Sequence, residues 1–289
     1  MKQFCLFLAV LLLLTVCGCT LSDHSAPILA TTRPVYDLTT ALCDGTDLEV
    51  SLLINENVSC LHDYSLSTNQ MKNLENAEMV IMSGAGLEEF QTDILIRCNY
   101  LLDASKGVTL IECQEGHDHD GHSHDQDAHI WLAPKNAKIM ATNICKGLQN
   151  QFPAQTDRFQ HNLETLLSEL DKLQAYGEET LKDLSCRELI TFHDGFSYLA
   201  QAFDLTILAA VEEESGSEAS AKELISLIEK VRHHNLPAVF NETNGSPSAS
   251  SIISAETGVN VFTLDMCMGD GTYIETMYQN INTLKEALG

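Results

Sequence analysis

Residues 188–211 read ELITFHDGFSYLAQAFDLTILAAV and show the pattern on which the fold depends. Residues 188–192 are mostly apolar or β-branched, which predicts a buried strand, and His193-Asp194-Gly195 supplies turn chemistry directly after it. A helix is predicted at about 196–203 and a second strand at 205–211. A strand, a helix and another strand in this order are typical of a parallel α/β layer.

The same alternation continues to the C-terminus. Two more strands are predicted at 238–241 and 259–264, and helices at about 219–233, 247–257 and 272–288. Four strands with intervening helices are enough for one parallel sheet with flanking helices. Residues 185–289 are therefore predicted to form a C-terminal α/β lobe.

The N-terminal half repeats this pattern with shorter elements. Strands are predicted at 27–31, 48–54, 79–83 and 108–111, and helices at 35–43, 69–77 and about 87–98. Pro134 is predicted to begin a helix that runs to about Asn150, since proline is tolerated in the first turn. Residues 27–151, which include a His-rich loop at 115–128, are predicted to form an N-terminal α/β lobe.

A long helix is predicted between the two lobes, within residues 152–184. One helix face from about residue 155 onward is apolar, at Phe159, Leu163, Leu166, Leu167, Leu170, Leu173 and Tyr176. About 30 helical residues would make a rod of roughly 45 Å. A coiled-coil dimer is the alternative, but the stripe is broad and covers only about two to three heptads. We therefore expect a monomer of two α/β lobes, each a parallel four-stranded sheet with flanking helices, joined by a long rigid backbone helix whose weak point is Gly177.

The start of the chain is predicted to be an export signal at residues 1–18. Its apolar run, at 4–16, is shorter than the ~20 residues needed to span a bilayer. No later apolar run approaches that length, so the remainder is expected to be soluble. The protein is therefore expected to work outside the cytoplasm.

A candidate lipid attachment site follows the signal. Gly18 before Cys19, with Val16 three residues before that cysteine, resembles the lipobox of bacterial lipoproteins. We therefore expect a lipid anchor on Cys19 that attaches the protein to the membrane, followed by a linker over 19–26. Cys17 is a weaker alternative because bulky Val16 precedes it, and a plain secretory signal is the other alternative.

The charge balance limits the classes of partner. The chain has 16 basic and 41 acidic residues, a formal net charge of −25. Nucleic-acid binding needs a basic face, so that class is excluded. A solvated acidic surface instead concentrates cations weakly.

The cysteines dictate no disulfide framework. After Cys19 they are Cys43, Cys60, Cys98, Cys113, Cys145, Cys186 and Cys267. Their number is odd and no CxxC pair is present, so at least one is expected to stay free or to pair with another chain.

The His-rich loop and its return to the fold read EGHDHDGHSHDQDAHIWLAP, residues 115–134, and hold five of the chain's 11 histidines. Four of them, His117, His119, His122 and His124, lie among Asp and Gly without apolar neighbours. Imidazole alternating with carboxylate favours loose capture of a cation such as Zn²⁺, so we expect these four to form a mobile metal collector. His129 is followed by Ile130-Trp131-Leu132, and we expect packed neighbours to hold it in a fixed site.

Other candidate ligands lie at strand ends, where open parallel sheets bind their ligands. His193 and Asp265 follow predicted strands of the second lobe directly, and His62 lies several residues past a strand of the first lobe. If the lobes face each other, these three residues and His129 converge. Three imidazoles and one carboxylate are a suitable tetrahedral set for zinc.

The chain resembles the extracytoplasmic solute-binding lipoproteins of ABC importers for zinc and manganese, and the resemblance covers essentially the whole mature sequence. The motifs that carry it are His62-Asp63-Tyr64, SGAGLE at 83–88, the His-rich loop ending in HIWLAP at 129–134, FHDGFSYLA at 192–200, ETG at 256–258, and Asp265 followed by YIETM at 273–277 and Asn280. The resemblance implies a metal in the cleft between two α/β lobes bridged by a rigid helix, and a membrane permease as partner. It places the metal ligands on His62, His129, His193 and Asp265.

The resemblance also bears on the choice of metal. Manganese-preferring relatives tend to have Glu where this chain has His193, so a third imidazole together with the His-rich loop implies zinc. A manganese-binding member of the family is the alternative. Around His62 the usual prolines are missing, which loosens the loop and makes Cys60 a possible substitute ligand or disulfide partner.

Two other classes are considered. A zinc hydrolase would need an open coordination position beside a general base, and the sequence has no HExxH motif. Glu242, at the end of a predicted strand, is the carboxylate that such an enzyme would use. A surface adhesin would need an exposed interaction surface and no buried metal site. We expect a zinc-binding transport protein and no enzymatic activity.

Overall fold

The computed structural model describes residues 26–55, 64–88, 95, 98–112, 126–211 and 219–289. Two four-stranded sheets organise the chain, and every strand pair in them is parallel. The first sheet contains β1 (Ile28–Ala30), β2 (Val50–Leu52), β3 (Met79–Met82) and β4 (Leu101–Asp103), in the order β2-β1-β3-β4. The second contains β5 (Glu188–Thr191), β6 (Thr206–Ala210), β7 (Ala238–Glu242) and β8 (Asn260–Leu264), in the order β6-β5-β7-β8. The predicted fold class is confirmed.

Eight α-helices are assigned within the described residues. They are α1 (Arg33–Cys43), α2 (Thr68–Asn76), α3 (Pro134–Gln151), α4 (Thr156–Thr180), α5 (Ser197–Ala202), α6 (Ala221–His234), α7 (Ser248–Thr257) and α8 (Tyr273–Leu288). The sequence explains several of their first residues. Ser67, Ser220 and Thr272 each form a reciprocal capping box with the residue three positions later, and Pro134 occupies the first turn of α3 as predicted.

The predicted strand at 108–111 is wrong. The fourth strand of the first sheet is Leu101–Asp103, which pairs with β3. Val108, Leu110 and Ile111 pack against the core but do not pair with a strand of the sheet. Their apolar side chains are explained by this partial burial and not by strand formation. Most of the predicted helix at 87–98 lies outside the described residues, and Leu87 itself lies in a turn.

Helix α4 is shorter than predicted but packs as predicted. It has 25 residues, a length of roughly 37 Å, instead of the expected 30 or so residues. The Arg187 guanidinium donates to the carbonyls of Leu181 and Lys182 at 2.8 and 2.9 Å, which satisfies carbonyl groups where the helix ends. The helix contacts α1 and α3 of the N-terminal half and α8 of the C-terminal half. It is therefore a strut within one chain.

Gly177 is a position of close packing. A Cβ built on Gly177 would lie 2.2 Å from Cε1 of Phe203, which follows α5. The glycine lets α4 approach the C-terminal lobe closely, and the expectation that it is the weak point of the helix stays a prediction.

The two lobes are joined by hydrogen bonds as well as by α4. Trp131 Nε1 donates to the Met266 carbonyl at 2.8 Å, and Tyr273 Oη donates to the Trp131 carbonyl at 2.7 Å. The Tyr273 amide donates to Asp37 Oδ2 on α1, also at 2.8 Å. The segment that follows β8 is thus fixed to the N-terminal lobe.

Two further observations concern the described residues alone. None of their helices combines the length and apolar character needed to cross a bilayer. Their five cysteines, Cys43, Cys98, Cys145, Cys186 and Cys267, are free thiols. Cys60 and Cys113 lie outside the described residues, as do the predicted signal and Cys19.

Candidate metal centre

His129 is held by a local hydrogen-bonding turn. Asp127 Oδ1 accepts from both the backbone amide and Nδ1 of His129, each at 2.8 Å. Ile130, Trp131 and Leu132 follow as a buried single turn of 3₁₀ helix. The prediction that apolar neighbours fix His129 is consistent with this packing, and the aspartate two residues earlier adds a second constraint.

Asp127 is itself fixed by both lobes. Its amide donates to the Ile111 carbonyl at 2.9 Å, and its carbonyl accepts from Tyr198 Oη on α5 at 3.0 Å. Burial alone would raise the pKa of Asp127, but the hydrogen bonds and charge of His129, with the Ser197 hydroxyl, lower the pKa below its ordinary value. Asp127 is therefore an ionised, buried partner of His129.

Three side chains of the second lobe come from the carboxyl ends of neighbouring strands. His193 follows β5, Glu242 is the last residue of β7, and Asp265 directly follows β8. Strands β5, β7 and β8 are adjacent in the sheet, and the strand order reverses between β5 and β7. Ligands of open α/β sheets bind at such a reversal, so the topology places all three residues at the expected edge.

Glu242 lies behind His193. Its Oε2 atom is 3.3 Å from His193 Nδ1, and its side chain is only 2% exposed. Burial, and secondly the negative charge of Asp265, raise the pKa of Glu242 to about 8. The effect of Asp265 on this pKa shows that the two carboxylates share one electrostatic environment.

Asp265 is oriented by its neighbours. The Asn280 side chain accepts from the Asp265 amide at 2.9 Å and donates to its carbonyl at 2.7 Å. The Asp265 Oδ1 atom accepts from the Cys267 amide at 2.7 Å. Both the backbone and one carboxylate oxygen of Asp265 are therefore fixed.

The two lobes meet where the rings of His129 and His193 come into contact. Their centroids are 5.2 Å apart with an interplanar angle of 85°, and Trp131 packs edge-on against His129 at 5.4 Å. Gly195 makes this approach possible, because a Cβ there would lie 2.8 Å from His129 Nδ1 and 2.8 Å from His193 Cδ2. A side chain at this position would clash with both rings.

The structure therefore brings together part of the predicted set. His129 and His193 are in contact, and Asp265 directly follows β8, at the same edge of the sheet as His193 and Glu242. Within the part of the chain that is described, no three His, Cys, Asp or Glu side chains lie close enough to share one metal ion. His62 and the collector histidines His117, His119, His122 and His124 lie outside the described residues, so the four-ligand set stays a prediction.

The sequence reasoning missed two residues of the site. Asp127 was treated as one of many aspartates of the His-rich loop, although its spacing of two residues before His129 was an available signal. Glu242 was considered only as the carboxylate of a possible hydrolase. Its contact with His193 follows from the pairing of β5 with β7, which a single sequence does not reveal.

Two parallel α/β lobes, a connecting helix and a cleft lined by imidazoles and carboxylates define a metal-type solute-binding protein of an ABC importer. The chain belongs to the family described as the zinc-uptake complex component A, periplasmic (ZnuA), whose model matches residues 28–287. A solved structure of ZnuA is 29% identical, covers 91% of this chain and 98% of its own, and superimposes with a TM-score of 0.80.

Curated relatives extend this similarity over nearly the whole chain. The high-affinity zinc uptake system protein ZnuA of Bacillus subtilis (strain 168) is 26% identical over 97% of this chain and 95% of its own length. The protein of the same name from Haemophilus ducreyi is 26% identical over 90% of each chain. The protein is therefore the metal-binding component of an ABC importer, with an extracytoplasmic location and a membrane permease as partner, and these relatives are transport components and not enzymes.

Proposed function

We propose that this protein captures Zn²⁺ outside the cytoplasm and delivers it to the permease of an ABC importer. The observation that carries the proposal is the contact between His129 and His193 across the cleft, with centroids 5.2 Å apart. Paired imidazoles on two lobes suit a borderline-soft cation, and the zinc-uptake relatives support the same choice.

The proposed ligands are His62, His129, His193 and Asp265. The first two come from the N-terminal lobe and the last two from the C-terminal lobe, so one ion would connect both lobes. His117, His119, His122 and His124 would collect zinc for this site, and a lipid on Cys19 would keep the monomer near its permease. We take residues 1–18 as the removed signal.

Manganese is the second candidate, because two carboxylates lie at the site. Glu242 and Asp265 are close enough for the charge of one to raise the pKa of the other. Oxygen ligands favour harder cations such as Mn²⁺. We rank zinc first because Glu242 Oε2 lies 3.3 Å from His193 Nδ1, so this carboxylate contacts an imidazole and supports a nitrogen ligand.

Competition of the mature protein against a chromophoric chelator tests the proposal, with zinc and manganese titrated in parallel. We expect one tight zinc equivalent and weaker manganese binding. His193→Ala should abolish tight binding, whereas His161→Ala, which removes an exposed histidine of α4, should not. Equal or tighter manganese binding would contradict the zinc assignment, and full affinity in His193→Ala would move the site elsewhere.

A further inference from the structure

A buried carboxylate lies behind each of the two histidines in the cleft. Asp127 Oδ1 is 2.8 Å from His129 Nδ1, and Glu242 Oε2 is 3.3 Å from His193 Nδ1. Each carboxylate side chain is 2% exposed. The same ring atom thus faces a carboxylate in both lobes, although Asp127 lies in a loop and Glu242 at the end of a strand.

This arrangement determines which ring nitrogen is available. A neutral imidazole carries its proton on one nitrogen and coordinates a metal through the other. When Nδ1 faces a carboxylate oxygen at hydrogen-bonding distance, the proton is stabilised there and Nε2 is left for the ligand. For His129 the same oxygen also accepts from the backbone amide, which fixes the ring orientation relative to the main chain.

We propose that Asp127 and Glu242 are positioning residues, each of which accepts the Nδ1 proton of its histidine and presents Nε2 to the metal. This inference rests on the proposed function, since it concerns the same site. Neither carboxylate needs to touch the metal for this role.

The backbones of both carboxylates are held firmly. Tyr198 Oη accepts from the Ile111 amide and donates to the Asp127 carbonyl, both at 3.0 Å. The hydroxyl of Tyr198 in the C-terminal lobe thus holds the backbone of Asp127 beside Ile111 in the N-terminal lobe. Glu242 is in register with Leu264 in the β7–β8 ladder. Ligands supported in this way lose little freedom when the metal binds.

A carboxylate behind a ligand also increases the basicity of the imidazole, and removal of such a partner typically weakens metal binding about 10- to 100-fold. We therefore expect Asp127→Asn and Glu242→Gln each to weaken zinc binding about 10- to 100-fold in the full mature chain, measured by chelator competition above pH 8, where Glu242 is ionised. Circular dichroism should show the secondary structure unchanged.

Asp103→Asn is the matched control. Asp103 Oδ1 also accepts from the backbone amide two residues later, at 2.9 Å from Ser105 N, but the side chain that donates to it is a serine hydroxyl and not an imidazole. A general effect of removing a turn aspartate would appear in Asp103→Asn as well as in Asp127→Asn. We expect the zinc affinity of Asp103→Asn to equal that of the unmodified protein.

A measurement without any substitution keeps the inference testable if a variant fails to fold. Nitrogen-15 NMR of zinc-loaded protein with labelled histidine distinguishes the two ring nitrogens. We expect His129 and His193 to carry the proton on Nδ1 and zinc on Nε2. Zinc on Nδ1 of either ring, or unchanged affinity in both Asp127→Asn and Glu242→Gln, would overturn the inference. A protein without any tight zinc equivalent would overturn the proposed function itself, and this inference with it.

Discussion

Trp131 Nε1 donates a 2.8 Å hydrogen bond to the carbonyl of Met266, the residue directly after Asp265. Trp131 follows His129 by two positions, so this bond joins the segment of one candidate ligand to the segment of another. It crosses from the N-terminal lobe to the C-terminal lobe. The relative position of the two ligands is therefore determined by an interlobe contact and not by the cleft side chains alone.

The first prediction concerns motion. Because α4 packs on both lobes and the Trp131 and Tyr273 bonds hold the segment after β8, a wide opening would break several buried contacts. We expect metal release to need only local rearrangement of loops. Small-angle scattering profiles of zinc-loaded and chelator-treated protein should nearly coincide. A clear compaction on zinc addition would show instead that α4 bends.

The second prediction concerns Gly195. In Gly195→Ala, the new Cβ would lie 2.4 Å from Met266 Cε and 2.8 Å from both His129 Nδ1 and His193 Cδ2, so we expect the two rings to be displaced. Since a displacement of this kind disturbs ligand geometry, we expect a loss of zinc affinity of about tenfold or more. Chelator competition measures the loss.

Gly177→Ala is the control for this substitution. Its Cβ would clash with Phe203 about as severely, and the three atoms nearest to it all belong to Phe203 and not to a candidate ligand. We expect Gly177→Ala to lower the free energy of unfolding by about 1–3 kcal/mol through overpacking and to leave zinc affinity unchanged. Equal losses of affinity in both variants would indicate that general destabilisation, and not ring separation, is responsible.

Particular residues show which parts of the structure can be predicted from the sequence. The strands of the C-terminal lobe were predicted within one or two residues, because each long apolar run is followed by turn residues. Strand β4 was missed, since Leu101–Asp103 is only three residues long and ends in an aspartate. His193 and Asp265 were found by their position after strands, but the contact of His193 with Glu242 depends on strand order, which pattern and periodicity do not determine.

The third prediction concerns the stability of the metal-free protein. The pKa of Glu242 is about 8 when folded and near 4.5 when unfolded, so between these values the folded state holds a proton that the unfolded state has lost. Stability therefore falls as pH rises from about 4.5 to 8. Glu242→Gln removes this dependence, and we expect it to stabilise the metal-free protein at pH 8 by on the order of 2–4 kcal/mol, with little gain near pH 5.

Urea unfolding of the metal-free protein at pH 5 and pH 8 checks this prediction. Glu229→Gln, at an exposed position of α6, is the control and should shift neither curve. A residue kept for stability would not show a gain on replacement, so stabilisation combined with weaker zinc binding would mark Glu242 as a functional residue. Destabilisation at pH 8 would show that the carboxylate is retained for the fold.

The last prediction separates the collector histidines from the cleft site. His117, His119, His122 and His124 lie among Asp and Gly without apolar neighbours in sequence, so we expect metal binding there to cost about 1–2 kcal/mol of backbone entropy per residue that it fixes. Their sites should be weaker than the cleft and should weaken further below a pH of about 6.5, where imidazoles are protonated. Deletion of 117–124 should remove the weak zinc equivalents and leave one tight equivalent in a calorimetric titration, because Asp127 and Tyr198 still hold His129. Loss of the tight equivalent would place one of the deleted histidines in the primary site.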